Sequence, residues 1–429
     1  MADQGGSNHG IARTSRTRTE EQRQKDLERI KDYRDLEDQV RAHAAKNDFS
    51  ADVFALTSKL LRLNPEYYTV WNVRRRCLIS GLLSKPSPGS SPSKASPTSS
   101  PTATTTTSSA ECSSSLSTET PPAPECPTTG KSGTTAETEA DKEDEEQKKQ
   151  QNKEQDQQND QQILQKELHF TIPLLLESPK CYWIWSYRLW ILKQVIERLS
   201  VPVARKIWEE ELGLTSKMLL RDQRNFHAWG YRRHVVEQLE SPALEGKSLV
   251  ESEFEFTTKK IEQNLSNFSA WHSRSKLIPR LLDERNADDE ARKAFFEEEL
   301  NKIGEAINVG PDDQSLWYYH QFLMLNLVSF VGHPTITPAF TQEERVTYLQ
   351  REIEGIQELL EDYDDAKLIY EALFDYTLYL CQLQERKPNE QEEEDLKSWL
   401  AQLKKLDPMR SGRWADLERD LGLRVVEEA

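Results

Sequence analysis

Few of the residues in this chain that could do chemistry stand in a pattern able to work alone. The eight His residues (positions 9, 43, 169, 227, 234, 272, 320 and 333) and five Cys (77, 112, 126, 181 and 381) include no CxxC pair and no spacing that gathers a tetrahedral zinc set. The odd Cys count does not suit a disulfide framework. Gly130-Lys131-Ser132 ends like a phosphate-binding loop, but Glu125 stands where the first Gly is required and no strand pattern precedes it. What remains is a cation on a turn: Lys180 follows Pro179 and comes two residues before Tyr182. An ammonium there could meet an anion, yet residue type alone reads it as a solvated turn lysine. The chain offers groups that could assist a reaction and no self-contained metal or nucleophile centre.

These residues sit in a frame that returns along the sequence. The first copy is Pro65-Glu66-Tyr67-Tyr68-Thr69-Val70-Trp71-Asn72-Val73-Arg74 and the second Pro179-Lys180-Cys181-Tyr182-Trp183-Ile184-Trp185-Ser186-Tyr187-Arg188. Then come Asn225-Phe226-His227-Ala228-Trp229-Gly230-Tyr231-Arg232 and Asn267-Phe268-Ser269-Ala270-Trp271-His272-Ser273-Arg274, and a worn fifth copy around Trp317 with Gln314 and His320 at the flanking positions. The last three Trp-to-Trp intervals are 44, 42 and 46, a structural repeat period. A polar or Pro-containing turn precedes most copies, which suits a helix start, and apolar residues follow at helical spacing, as in Val73, Cys77 and Leu78. A second amphipathic stretch comes before the frame, for example Val53-Phe54, Leu56, Leu60-Leu61. Each repeat is therefore a helix hairpin that must stack on its neighbours to bury its faces. The Trp side chains read as core filler. Each Arg lies one turn further along the same helix face, placed to hold a neighbouring turn.

The elements that carry the frame follow from composition. Residues 1–18 read as a flexible arm, 19–84 as a charged helix plus the first repeat, 163–335 as repeats two to five, and 336–429 as capping helices (Glu343 to Leu360, Leu368 to Leu383, Gln391 to Leu406) closed by Trp414. Residues 85–162 interrupt the array with Ser-Pro-Thr runs and an acidic Lys- and Gln-rich run. That composition cannot bury enough apolar area to offset ordering, so this stretch reads as a disordered insert. Trp71 and Trp185 are 114 apart, and removing about 70 residues of insert restores the repeat period. No strand pattern occurs, and the fold class is all-α. The net charge of −17, with no basic stripe beyond Arg13 to Arg18, argues against a nucleic-acid partner. No apolar run long enough to span a bilayer and no apolar leader appear, so a cytoplasmic chain without a membrane span is expected.

The Pro-x-x-Tyr-x-x-Trp-x-x-Arg frame at this period resembles the repeats of protein prenyltransferase α subunits. Asn225 to Arg233, Asn64 to Arg76, His9-Gly10 and Asp407-Pro408-Met409-Arg410 are similar to the α subunit of the Rab geranylgeranyltransferase type. The resemblance implies a crescent-shaped right-handed superhelix of stacked hairpins. It further implies an obligate heterodimer with a β subunit that holds geranylgeranyl diphosphate and the catalytic zinc, acting on Rab GTPases presented by an escort protein. It places Lys180 and Tyr182 at the subunit interface near the diphosphate, with His227 lining the same interface. It also suggests His9, on its arm, as a displaceable ligand of the partner's zinc; a free tail is the other reading. Two rival functions follow: the α subunit shared by farnesyltransferase and type I geranylgeranyltransferase, acting on CaaX proteins, and a non-catalytic scaffold like tetratricopeptide arrays. The ~34-residue tetratricopeptide period does not fit this chain.

Overall fold

The computed structural model describes residues 19–85, 139–328 and 335–422, with side chains from 147 onward in the second stretch. Fifteen α-helices and no strands occur among them. They divide into two compact units, one of residues up to Glu177 with Ser186–Ser200, the other of Ser178–Trp185 with Val201 onward.

The first unit contains α1 (Glu20–Ala45), α2 (Ala51–Leu63), α3 (Tyr68–Cys77), α4 (Glu139–Glu177) and the larger part of α5 (Tyr182–Arg198). Helix α1 begins in a capping box, with the Thr19 hydroxyl accepting from the Gln22 amide while the Gln22 side chain accepts from Thr19 N–H. Helices α2 and α3 form a hairpin that buries Val53, Leu60, Leu61, Val70 and Trp71. Removing a side chain as large as Trp71 would cost about 3–5 kcal/mol.

Helix α4 departs from the sequence expectation. Residues 139–162, expected to belong to a disordered insert, are helical and continuous with the second repeat. The composition argument weighed only apolar burial. Glu, Lys and Gln are strong helix formers, and pairs four residues apart such as Gln150–Glu154 (2.8 Å) add local support. The tertiary anchor is Asp160, which is buried and accepts from Ser84 N (2.9 Å) and Ser84 Oγ (2.6 Å), while Arg198 donates to the Ser84 carbonyl (2.9 Å). Ser84, near the end of the first repeat, is thus pinned to helix α4 and to α5. The rest of the insert, 86–138, lies outside the described residues.

The second unit stacks α6 (Val201–Arg221) on α7 (Phe226–Leu239), α8 (Val250–Gln263) on α9 (Phe268–Glu284), α10 (Asp289–Val309) on α11 (Gln314–Val328) and α12 (Gln342–Asp362) on α13 (Lys367–Leu383). Helices α14 (Glu390–Leu406) and α15 (Ser411–Asp420) close it. The C-terminal helices fall within two residues of their sequence expectation. Asn and Asp N-caps fix helix starts, with Asn225 accepting from Ala228 N at α7 and Asp288 from Ala291 N at α10.

A buried polar seam repeats through both units. The Arg three residues after the repeat Trp forms a bidentate pair with a Glu of the next hairpin's first helix. Arg74 pairs in this way with Glu167 (2.7 Å twice), Arg232 with Glu253 (2.8 and 2.5 Å) and Arg274 with Glu299 (2.7 and 2.5 Å). The same Glu accepts from a Tyr two residues after the next Trp: Tyr187 to Glu167 (2.6 Å) and Tyr319 to Glu299 (2.5 Å). That Tyr also lies against the preceding Trp, with ring centroids 4.6 Å apart for Trp71–Tyr187, 4.9 Å for Trp185–Tyr231 and 4.5 Å for Trp271–Tyr319. The Arg also reaches back to hydroxyls of its own hairpin, Thr57 and Ser58 for Arg74, Thr215 and Ser216 for Arg232. Arg188 donates to the Leu168 carbonyl (2.6 Å) and to Thr171 Oγ1. Buried charges are tolerated where the donors of the fork have acceptors. At Glu299, burial raises the carboxyl pKa, but Arg274 beside it outweighs burial and holds it below the usual range.

Candidate functional site

The residues that could meet a partner stand at the starts of the second helices. Each Trp indole N–H donates to the carbonyl six residues earlier: Trp185 to Pro179 (3.0 Å), Trp229 to Gln223 (2.9 Å), Trp271 to Leu265 (2.7 Å) and Trp317 to Pro311 (2.6 Å). In two cases that carbonyl also accepts from the next repeat's N-cap Asn: Pro179 from Asn225 (3.1 Å) and Gln223 from Asn267 (3.1 Å). The turn is therefore fixed from both sides, and the residue three before each Trp is directed outward. Tyr182, Phe226 and Phe268 all occupy that position and are 59%, 74% and 49% exposed, large values for aromatic rings.

Within the second unit these rings form a band with polar groups among them. Tyr182 meets His227 edge-on (centroids 6.2 Å apart) and Phe226 meets the same imidazole at 5.8 Å. Phe268 stacks on His272 (5.9 Å) and meets Tyr318 edge-on (6.0 Å). The His272 pKa is lowered, first by burial and then by the charges of Arg233 and Lys276. Lys180 lies on the turn before Tyr182, 75% exposed at the side chain, with a loose contact to Asp222 (3.6 Å). Its ammonium is thus a mobile cation on the same turn as Tyr182. Among the described residues no three His, Cys, Asp or Glu side chains converge to hold a metal ion. No described helix is long and apolar enough to cross a membrane.

The protein prenyltransferase alpha subunit repeat matches this chain five times, at residues 50–80, 164–195, 208–239, 250–281 and 296–327. The chain belongs to the protein prenyltransferase α-subunit family. It is similar to the geranylgeranyl transferase type-2 subunit alpha of Schizosaccharomyces pombe, 35% identical over 153 residues that cover 34% of this chain and 43% of that one. It is also similar to the proteins of that name from Candida albicans (26% over 174 residues, 41% and 29% covered) and Saccharomyces cerevisiae (28% over 320 residues, 74% and 72% covered). The first two alignments span less than half of the relatives' own lengths.

The structure brings Lys180, Tyr182 and His227 to one stretch of the family's repeat face, and sets Trp71, Trp185, Trp229, Trp271 and Trp317 with Arg74, Arg188, Arg232 and Arg274 in the buried seam. His9 lies outside the described residues. Sequence reasoning missed the seam's acceptors, although a fixed offset marks them. Glu167, Glu211, Glu253 and Glu299 stand at one and the same distance before Trp185, Trp229, Trp271 and Trp317. The same rule exposes a sixth copy without Trp. Tyr370 donates to the carbonyl of Asp364, six residues earlier (2.8 Å). Glu352, at the seam offset before Tyr370, meets His320, which stands where the other copies have Arg (3.0 Å). His320 Nδ1 is 2.8 Å from Tyr376 Oη, so an imidazole fills the place of a guanidinium fork.

Proposed function

We propose that this chain is the α subunit of a type-2 geranylgeranyl transferase, working as a heterodimer whose β subunit carries the prenyl pocket and the zinc. The observation that carries the reading is the five-fold repeat match together with three relatives of that name. In this reading a thiolate sulfur at the C-terminus of a Rab GTPase, held by its escort protein, bonds to C1 of geranylgeranyl diphosphate as the C–O bond breaks and diphosphate departs. Zinc on the β subunit supplies the thiolate at neutral pH. This chain's part is to cover that site with the aromatic band and to place Lys180 where negative charge builds on the leaving oxygens. Tyr182 and His227 position that turn against the partner. A loosely held cation on a rigid turn, beside rings left in solvent, supports this division of labour. A cytoplasmic location goes with cytosolic Rab substrates.

Co-expression with candidate β subunits, then transfer from labelled geranylgeranyl diphosphate to Rab with escort protein or to a CaaX peptide, tests the reading. Rab-dependent transfer is expected. Transfer to the CaaX peptide alone would assign the chain to the shared farnesyltransferase and type I α subunit. Zinc-dependent transfer by the isolated chain would overturn the division of labour.

A further inference from the structure

In the first unit, Tyr68, Asn72 and Arg75 share one stripe of α3, at i, i+4 and i+7, and Ile79 follows on the next turn. The ends of this stripe are apolar and stand in solvent, Tyr68 at 47% and Ile79 at 55% exposure. Arg75 between them is half-buried, with its guanidinium over the rings of Tyr187 (5.4 Å) and Trp190 (5.8 Å) of α5. Its one hydrogen bond runs from Nη1 to Asn72 Oδ1 (2.7 Å), and its Nε–H is buried without an acceptor. No carboxylate pairs with Arg75 among the described residues, whereas both oxygens of Glu167 hold the preceding Arg74. Burial lowers the Arg75 pKa, opposed only by the Tyr187 and Tyr68 phenols. A guanidinium that gives up hydration for a single amide oxygen is costly in a chain that stands alone. Arg with Tyr and Trp in a partly desolvated patch is also the composition that carries much of the energy of protein interfaces. The missing group is an anion that brings apolar surface with it. A carboxylate on another protein does both: its two oxygens match the guanidinium fork, and the side chains around it cover Tyr68 and Ile79. A free diphosphate would meet the charge and leave both of those side chains in water.

We propose that Arg75 is a charged anchor for the β subunit, which places an Asp or Glu carboxylate against the Tyr187–Trp190 cradle and apolar side chains over Tyr68 and Ile79. The identity of the partner rests on the transferase reading above. The inference adds to that reading an acidic contact on the first repeat, made by a residue outside the aromatic band of the second unit.

The test measures the dissociation constant of the full chain and the β subunit, together with urea unfolding of the isolated chain. Arg75→Met keeps the stem and loses the charge, and Arg75→Lys keeps the charge and loses the fork. Arg76→Met is the control, since Arg76 is exposed and lies over Phe49 (5.5 Å). Arg75→Met should weaken assembly by about 30-fold or more, and Arg76→Met by less than about twofold. Arg75→Lys should fall between them. In the isolated chain Arg75→Met should leave the unfolding midpoint unchanged or raised, because no native charge pair is broken. Wild-type affinity of the Met variant would overturn the proposal. A lowered midpoint alongside weakened assembly would make Arg75 a structural residue and equally reject it. Unchanged assembly with a raised KM for geranylgeranyl diphosphate would give the anion site to substrate and reject it too. Failure of the wild-type chain to bind any candidate β subunit would overturn the transferase reading and this inference together. A complex that transfers prenyl groups and is indifferent to Arg75 would overturn the inference alone.

Discussion

The buried seam and the exposed face are made from the same repeat and obey opposite rules. In the seam the carboxylates have their donors: Glu299 takes Arg274 and Tyr319, and Glu167 takes Arg74 and Tyr187. On the face, aromatic rings stand in solvent, Lys180 holds only a loose contact, and Asp375 has no donor among the described residues. The recurring Trp and Arg close the array, whereas the aromatic three residues before Trp71, Trp185, Trp229 and Trp271 recurs and yet stands in solvent, with Lys180 and His227 at changing positions beside it. A protein that stood alone would gain by satisfying the face as it satisfies the seam.

The sharpest way to break this comparison is to strip one charge from the seam. Arg274→Ala should cost about 3–5 kcal/mol, because Glu299 would lose its bidentate partner and stay buried with only the Tyr319 hydroxyl and a long contact to Lys302 (3.7 Å). Phe268→Ala on the face should shift stability by less than about 0.5 kcal/mol. Urea unfolding of the two variants measures the contrast, and similar losses in both would erase it.

A second test acts on turnover rather than on folding. On the transferase reading proposed above, Lys180→Ala in the heterodimer should slow single-turnover transfer by roughly 10²-fold while substrate binding changes little, since the ammonium matters most as charge develops. Lys180→Arg should recover part of the rate. A wild-type rate for the Ala variant would return Lys180 to the status of a surface lysine.

The two kinds of carboxylate also predict opposite responses to pH. Glu299 is held below the usual carboxyl range despite burial, so its contribution is full above about pH 4.3 and is lost as pH falls through its lower folded value. Asp375 is pushed up to about 6 by burial, with Arg413 opposing and Glu371 adding to the shift. Its contribution is full below the ordinary Asp value and is lost as pH rises through about 6. Asp375→Asn should therefore raise the unfolding midpoint at pH 7.5 and leave it unchanged at pH 3.5. A variant less stable at pH 7.5 would show that Asp375 has found a donor.

The smallest effect is expected where the seam is already incomplete. Ser273 replaces the Tyr found in neighbouring repeats, and its hydroxyl is buried without a partner. Trp229 accordingly lies edge-on to Phe256 (5.8 Å) instead of stacking on a Tyr. Ser273→Ala should be neutral or stabilising by up to about 1 kcal/mol, measured by the same unfolding curve.

The repeat Trp, its turn and its Arg were legible in the sequence because a stacked array imposes the same packing problem every 42 to 46 residues and answers it with the same residues. The constant offset to the seam Glu was written there as well, but its meaning depends on which helix becomes a neighbour. The sixth copy was hidden because Tyr370 makes the Trp hydrogen bond with a different ring. Helix α4 was misread from residue 139 to 162, since composition records how much apolar surface a segment has and not whether Asp160 finds Ser84. Sequence by itself determined the all-α class, the repeat and the family, all set by local periodicity. Tertiary structure alone decided which carboxylates have donors and which rings are left in solvent, because these depend on side chains brought together from hairpins far apart in the chain.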